Sequence, residues 1–571
     1  MTETTEAAAP PGAGDKPAAP APPASELDPR RWLALASVMT ALFMVLLDVS
    51  IVNVAIPAIR SNLAANNADI QFVIAGYGLA YAVLLITGGR LGDIFGRKRL
   101  FIIGMSGFVI ASALCGLAQT AIMLDLSRVL QGAMAAMMYP QVLSVIQVTF
   151  PPQERAKVFG LVGAVIGIAT ITGPLAGGLI IRNDITGGSW RWIFLVNLPI
   201  GIAALIAATR LITESRAPNA TRLDVGGVIL ATAGILLLVY PLVEGQVAGW
   251  PAWTFICMAI SPVMLVLFVL YERSLPSTRF PLVQLSLFRI RSFAVGVAIS
   301  AVFIAGIPAF FFTFSLMVQV GLGFSALNAG LTTIPWSLAS AVASAMSTRV
   351  APRLGKYTIA IGSTLLVIGM LGVIGTLHLQ GIKVTGWDLI PSFVVSGLGL
   401  GTVIAPLLNI ILAGVPGRDA GSASGVLTTF QQLGGAIGVA VVGVVFFGLL
   451  SSRAADSIAT VTPQLQSQLA AANLPAPAAQ AAISTFTTCF KEQASSSDPT
   501  APPPAQCKTT GSGPVQAAFA SAAQTALGRD FVSSVERILF FNVGFWALTG
   551  ILSMLLPRAR RQPVAGAAQA A

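Results

Sequence analysis

Apolar residues in this chain run on for whole membrane thicknesses and are broken by brief polar turns, rather than recurring as the narrow stripes of a soluble fold. A helix needs ~20 apolar residues to cross a bilayer. Such runs lie at 32–57, 70–90, 100–118, 122–149, 156–180, 190–212, 223–242, 252–271, 292–318, 327–348, 357–378, 387–413, 420–450 and 533–556. The pattern predicts an all-α polytopic membrane protein with about fourteen transmembrane helices.

The polar breaks divide the chain. Residues 1–30, rich in Ala, Pro and Thr, predict a disordered cytoplasmic tail, and 557–571 a cytoplasmic tail at the other end. Residues 31–213 predict a six-helix bundle, 214–275 an inserted helix pair, and 276–556 a second six-helix bundle that carries a long extracytoplasmic loop at 451–530. An even number of crossings puts both termini on one side of the membrane. Of the 33 Lys and Arg, 23 fall on that side, so the positive-inside bias predicts cytoplasmic termini and a multi-pass protein of the cytoplasmic membrane.

Composition agrees, because 55% hydrophobic residues, 10% charged residues and a mean hydropathy of +0.82 exceed what a soluble core can hide. The net charge of +11 would suit a nucleic-acid binder, but its cations are scattered over short turns, so no nucleic-acid partner is expected. Cys115 and Cys257 lie in apolar runs. Cys489 and Cys507 share the long outer segment and could form a disulfide or remain two thiols in a floppy loop. With one histidine, His378, and no cysteine cluster, no metal site is expected.

The most informative polar turn is Gly89-Arg90-Leu91-Gly92-Asp93-Ile94-Phe95-Gly96-Arg97-Lys98-Arg99, which its charges place outside the hydrocarbon on the cytoplasmic side. A weak copy, Thr348 to Lys356, aligns Arg349 with Arg90, Gly355 with Gly96 and Lys356 with Arg97, and puts Pro352 where Asp93 stands. Each copy follows the second helix of its half if the inserted pair is set aside, which implies two repeated bundles.

Gly89, Leu91, Asp93, Gly96, Arg97 and Lys98 resemble the signature loop of the major facilitator superfamily. Arg128-Val129-Leu130-Gln131-Gly132 is similar to its fourth-helix motif, and Gly173-Pro174-Leu175-Ala176-Gly177-Gly178 to its fifth-helix antiporter motif, although Ala169 stands where that motif usually has glycine and Gly167 lies nearby. Leu47 to Pro57, Trp190 to Pro199 and Ala420 to Gly438 resemble patterns of the fourteen-helix drug:proton antiporter branch. The likeness covers 30–450 and the last span. It implies the major facilitator fold and a multidrug efflux transporter: a secondary active antiporter, not an enzyme, that exports amphipathic drugs, dyes or toxic compounds.

Asp48 is the acid placed deepest in an apolar run, where an ionised carboxylate costs at least ~2.5 kcal/mol unless it is paired, hydrated or protonated. Arg128 lies at a matching depth, so Asp48 is expected to carry protons with Arg128 tuning it, the alternative being a static ion pair. Asp93 is expected to latch the halves against the helix start at Gly417 to Gly421, with Gly89, Gly96 and Arg97 completing the latch. Gly173, Pro174, Gly177 and Gly178 are expected to let the fifth helix seal against its counterpart in the other half, or to serve ordinary packing. Met44, Tyr77, Tyr139, Gln141, Phe311, Trp336 and Gln431 are candidates for the wall of a central cavity, and each could equally pack helices or face lipid.

No GxxxxGK[ST] loop occurs, so the expected driving force is the proton gradient, with no cofactor. The expected partners are a small amphipathic substrate, protons and membrane lipids, around a monomer. Three other readings stay open: export of an endogenous lipid or antibiotic, uptake by proton symport, and a receptor without transport.

Overall fold

The computed structural model describes residues 29–65, 67–183, 189–217, 223–245, 248–275, 281–494 and 513–557. These residues are helical nearly throughout. The first half holds α1 (Arg31–Leu63), α2 (Asn67–Phe95), α3 (Arg97–Gly116), α4 (Ala121–Thr149), α5 (Pro152–Asn183), the short α6 (Trp192–Leu195) and α7 (Asn197–Leu211). An inserted pair follows, α8 (Val225–Glu244) and α9 (Ala252–Ser274). The second half holds α10 (Arg291–Leu316), α11 (Ala326–Leu354), α12 (Tyr357–Gln380), α13 (Ile390–Ala413), α14 (Ala420–Ala471), α15 (Ala476–Ala494) and α16 (Pro514–Ser553).

Among the described residues, 12 helical segments are long and apolar enough to cross a membrane, with α6 and α7 together forming one of them. The long helices α5 and α11, which fall at two more of the apolar runs read from the sequence, are not among these 12. Both pack against each other between the halves, where a helix needs less apolar surface than one facing lipid.

Side-chain caps start two of the helices. The Met123 amide donates to Thr120 Oγ1 at the head of α4, and the Asn328 amide to Ser325 Oγ at the head of α11. The repeated polar turns reduce to near-identical devices. Gly96 alone separates α2 from α3 at φ 108, and Gly355 at φ 55, followed by Lys356, separates α11 from α12. Both backbone conformations favour glycine. The turn is therefore shorter than the sequence suggested: Arg90 and Asp93 belong to the last turns of α2 and Arg97 opens α3, with all three buried.

The long outer segment also departs from expectation. Its described residues are mostly helical, because α14 runs on to Ala471 and α16 begins at Pro514, with α15 between them. A 52-residue helix spans ~78 Å, far more than a bilayer requires. The extensions form a small bundle with its own core, including Ile458, Val461, Leu465, Leu469, Ile483, Phe486, Phe490 and Ala522. Cys489 is disulfide-bonded and Cys115 and Cys257 are free; Cys507 lies outside the described residues.

The halves meet mainly through four helix pairs, α2 with α14, α4 with α14, α5 with α11 and α5 with α13. Close approaches cluster toward the end that carries Gly96, Gly355 and Gly417, here called the latch end. The pair α8–α9 packs on itself and, through α8, on α2 and α14. Its outer surface, including Val225, Ile229, Phe255, Ile256, Val263 and Val266, is exposed apolar area suited to lipid.

Candidate functional site

Asp48 lies mid-way along α1 and is fully buried inside the first half. Arg128 of α4 donates from Nη1 to Asp48 Oδ2 at 2.5 Å and to Gln131 Oε1 at 2.8 Å, while its Nε donates to the Val73 carbonyl at 3.0 Å. Gln131, one turn beyond Arg128, donates to Asp48 Oδ1 at 2.8 Å, and Asn197 at the start of α7 donates to the same oxygen at 3.4 Å. Ser112 of α3 receives both amides, from Asn197 at 3.1 Å and Gln131 at 3.3 Å. The guanidinium lies 4.3 Å from the centre of the Tyr77 ring, in cation–π contact, with Phe194 on a further side at 5.7 Å. One carboxylate thus ties α1, α4 and α7 together, and no part of it reaches lipid.

The backbone stays helical from α6 through Val196 into α7, with the Val196 amide donating to the Trp192 carbonyl at 3.0 Å, and this run carries the Asn197 amide to Asp48. Gln131 and Asn197 sit inside sequence stretches singled out above, but neither was named for itself. The available signal is an amide within each apolar run, alone at Asn197 and one of three at Gln131.

A second cluster joins the halves at the latch end. Asp93 Oδ1 accepts from the Gly421 amide at 3.1 Å and Oδ2 from the Ser422 amide at 2.9 Å. These are among the first amides of α14, which have no partner within their own helix and lie at its positive end, so a carboxylate supplied by α2 caps it. Arg97 donates through Nη2 to Asp93 at 2.7 Å and to the Gly417 carbonyl at 2.8 Å. Gly89 and Gly421 let the two backbones touch: a Cβ on Gly421 would lie 2.4 Å from the Gly89 carbonyl oxygen and 2.5 Å from Asp93 Oδ1. Farther along the same face, Gln147 of α4 donates to the Leu412 and Val415 carbonyls, and Ser144 contacts Ser424. Of the remaining cations of this motif, Lys98 is half-buried, Arg99 is exposed, and Arg90 is 2% exposed.

The glycines of α5 divide the labour differently from expectation. Gly160, Gly163 and Gly167 meet α11, with a Cβ at Gly163 falling on Ser344 and one at Gly167 on the Ser337 carbonyl, and Ser344 donates to the Gly160 carbonyl at 2.9 Å. Gly173 instead abuts Ser50 of α1, Gly177 is buried, and a Cβ on Gly178 would meet nothing; nothing is described of the Pro174 side chain. The two sets lie on different lengths of a 32-residue helix, which leans on α11 near the latch end and on α1 beyond it. Gly163→Val is expected to push α5 from α11 and shift the protein away from the conformation closed at the latch end, seen as reduced crosslinking between α5 and α11 at unchanged expression.

Four residues read as cavity wall are covered by neighbouring helices. Met44 lies against Gly201, Tyr77 under Arg128, and Gln141 donates to the Gly88 carbonyl at 2.8 Å. Trp336 is 1% exposed in an aromatic cluster with Phe310, Phe393 and Trp546. Tyr139, Phe311 and Gln431 keep partial exposure, with Gln431 donating to Ser300 Oγ at 2.9 Å. A cleft of about 200 Å³ between α1 and α5 is lined by Met39, Thr40, Phe43, Val165 and Ile168.

Comparison with known proteins agrees with this architecture. The chain is 39% identical over 98% of its length, and 98% of the relative's, to a probable actinorhodin transporter of Streptomyces coelicolor. It is 35% identical to a tetracenomycin C resistance and export protein of Streptomyces glaucescens over 76% of this chain and 78% of that one. The crystal structure of the human organic anion transporter MFSD10 (TETRAN) superposes with a TM-score of 0.53 at 14% identity, covering 72% of this chain and 93% of that one, a likeness of fold. The Major Facilitator Superfamily model matches residues 38–439, and with two joined helical bundles around that span this multi-pass membrane protein belongs to the Major Facilitator Superfamily.

Proposed function

We propose that the chain is a proton-coupled antiporter that exports lipophilic or amphipathic small molecules across the cytoplasmic membrane, with its latch end and both termini in the cytoplasm. The observation that carries the coupling is the sealed Asp48 network. As the ionised form, Asp48 holds Arg128, Gln131 and Asn197 and fixes three helices. Protonation removes the charge that these donors face, weakens the pair and frees the helices to shift. A proton arriving from outside then exchanges for a substrate leaving in that direction. The latch supports the same cycle, since closure at the cytoplasmic end leaves the α1–α5 cleft to open outward. That cleft is apolar apart from Thr40, which suits lipophilic cargo. Relatives named for antibiotic transport and export agree with an exporter rather than an enzyme.

Purified protein in vesicles carrying an imposed pH gradient tests this reading. Ethidium is expected to accumulate against its gradient only while the proton gradient lasts. Accumulation that is unchanged after the gradient is collapsed would refute the coupling.

A dedicated antibiotic as cargo is the second reading. It is favoured by the full-length match to the probable actinorhodin transporter, which extends over the outer helical bundle as well as the membrane core. Culture supernatants and cell extracts of a deletion strain separate the two: a single aromatic product retained in the cells marks a dedicated exporter, and broad dye sensitivity marks a multidrug one.

A further inference from the structure

The inserted pair α8–α9 faces lipid over most of its surface, yet at the latch end it buries the acid Glu272 and packs the half-buried Asp224 beside it. The buried stripe of α9 consists of Thr254, Ser261, Phe268 and Glu272, residues that share one helical face. Ser261 uses that face to donate to the Gly234 carbonyl of α8 at 2.7 Å. Glu272, at the end of the stripe, is 5% exposed. Its Oε1 accepts from the Leu282 amide at 2.9 Å, and its Oε2 is buried without a hydrogen bond. Asp224, just before α8, accepts from the Tyr271 hydroxyl at 2.9 Å and also leaves one buried oxygen without a partner. A Cβ on Gly227 would lie 2.5 Å from Asp224 Oδ2 and 2.8 Å from Glu272 Oε1, so this glycine lets the two acids crowd together.

The same acid touches the latch. Leu282, held by Glu272, accepts at its carbonyl from Ser422 Oγ at 3.4 Å, and the Ser422 amide donates to Asp93. A short chain of contacts therefore runs from α9 through residue 282 to the start of α14 and on to α2. Arg90 provides a second link, because its buried guanidinium is within electrostatic reach of Asp93, Asp419 and Glu272 together.

We propose that Glu272 is a second proton-binding carboxylate, separate from Asp48, through which the inserted helix pair controls opening of the latch. Its ionised form attracts Arg90, holds residues 281–283 against Ser422 and keeps the latch shut. A proton from the cytoplasm neutralises it, removes its repulsion with Asp224 and its attraction for Arg90, and loosens the segment that braces Ser422. The groups facing it are Arg90 from α2, Asp224 from the start of α8, and the backbone amides at 282 and 283. This inference rests on the latch end being cytoplasmic, as proposed above.

The test is a distance measurement that needs no transport. Spin labels at Arg99 on α3 and Arg353 on α11, both exposed, report separation of the halves in full-length protein carrying Cys257→Ser. Over about pH 8 to 5, the latch-open population of the parent is expected to rise as the pH falls. Glu272→Gln should raise that population about tenfold at neutral pH and flatten its pH dependence, and Glu272→Asp should restore part of it. A Glu272→Gln protein that closes and responds to pH like its parent would overturn the proposal, as would a Glu272→Asp protein indistinguishable from Glu272→Gln. The measurement is repeated with Asp48→Asn. A pH-dependent latch that persists there while gradient-driven transport is lost assigns the two roles to two sites, and loss of the pH response in Asp48→Asn returns both roles to Asp48 and contradicts a second site.

Discussion

Asp48→Asn is expected to abolish gradient-driven efflux while folded protein remains in the membrane. Asparagine keeps an oxygen to accept from Arg128 or Gln131, but it cannot take up or release a proton near neutral pH. The loss has a physical scale: one proton moving down ~100 mV supplies ~2.3 kcal/mol, which sustains a concentration ratio of somewhat under a hundredfold. Cells expressing the variant should hold no more than the passive ratio of a fluorescent substrate. Exchange of labelled for unlabelled substrate, which needs no gradient, should survive. Arg128→Ala is a different lesion, because it leaves the buried Asp48 carboxylate without its counter-charge, a change that typically costs about 3–5 kcal/mol. Reduced amounts of folded protein are the expected result there, so Asp48→Asn is the more informative variant.

The second large effect belongs to Asp93. Its two oxygens receive the Gly421 and Ser422 amides and Arg97, and hydrogen bonds to a charged group contribute about 1.5–3 kcal/mol each. Asp93→Asn retains the shape and loses the charge. The conformation closed at the latch end should lose roughly 1–3 kcal/mol relative to the open one, enough to slow turnover by about tenfold or more. Substrate binding to purified protein should persist, because Asp93 lies among helix ends and not beside the α1–α5 cleft. Wild-type turnover, or a matching loss of equilibrium binding, would contradict a latch.

The fold and the two charge clusters were legible in the sequence because few alternatives exist for charge in hydrocarbon. Asp48 and Arg128 were matched by depth alone, counted along their helices. Asp93 was matched with Gly417 to Gly421 because a carboxylate and a helix start on the same side of the membrane attract each other. What depth does not supply is azimuth. Gln131 and Asn197 lie within recognised stretches, but which way each amide points depends on how its helix is rotated. The same ambiguity affected the cavity candidates. Gln141 and Trp336 are the kind of residue that lines a pocket, and helix neighbours bury both.

Glycine patterns were similarly half-readable. They announced close approach by α5 but not the partner, so α1 took Gly173 while α11 took Gly160, Gly163 and Gly167. The outer bundle was missed because Ala, Gln, Ser and Pro dominate its composition. Yet Ile458, Val461, Leu465 and Leu469 already formed a helical stripe, and those residues are its core.

The most direct test places a pH-sensitive dye inside vesicles that contain either the parent protein or Asp48→Asn, and follows internal pH when substrate is added. The parent should move protons opposite to substrate, at a rate that rises with substrate concentration. Asp48→Asn should move none while still binding substrate. Equal substrate-dependent proton flux in the two proteins would contradict the claim that the Asp48 carboxyl couples protons to export.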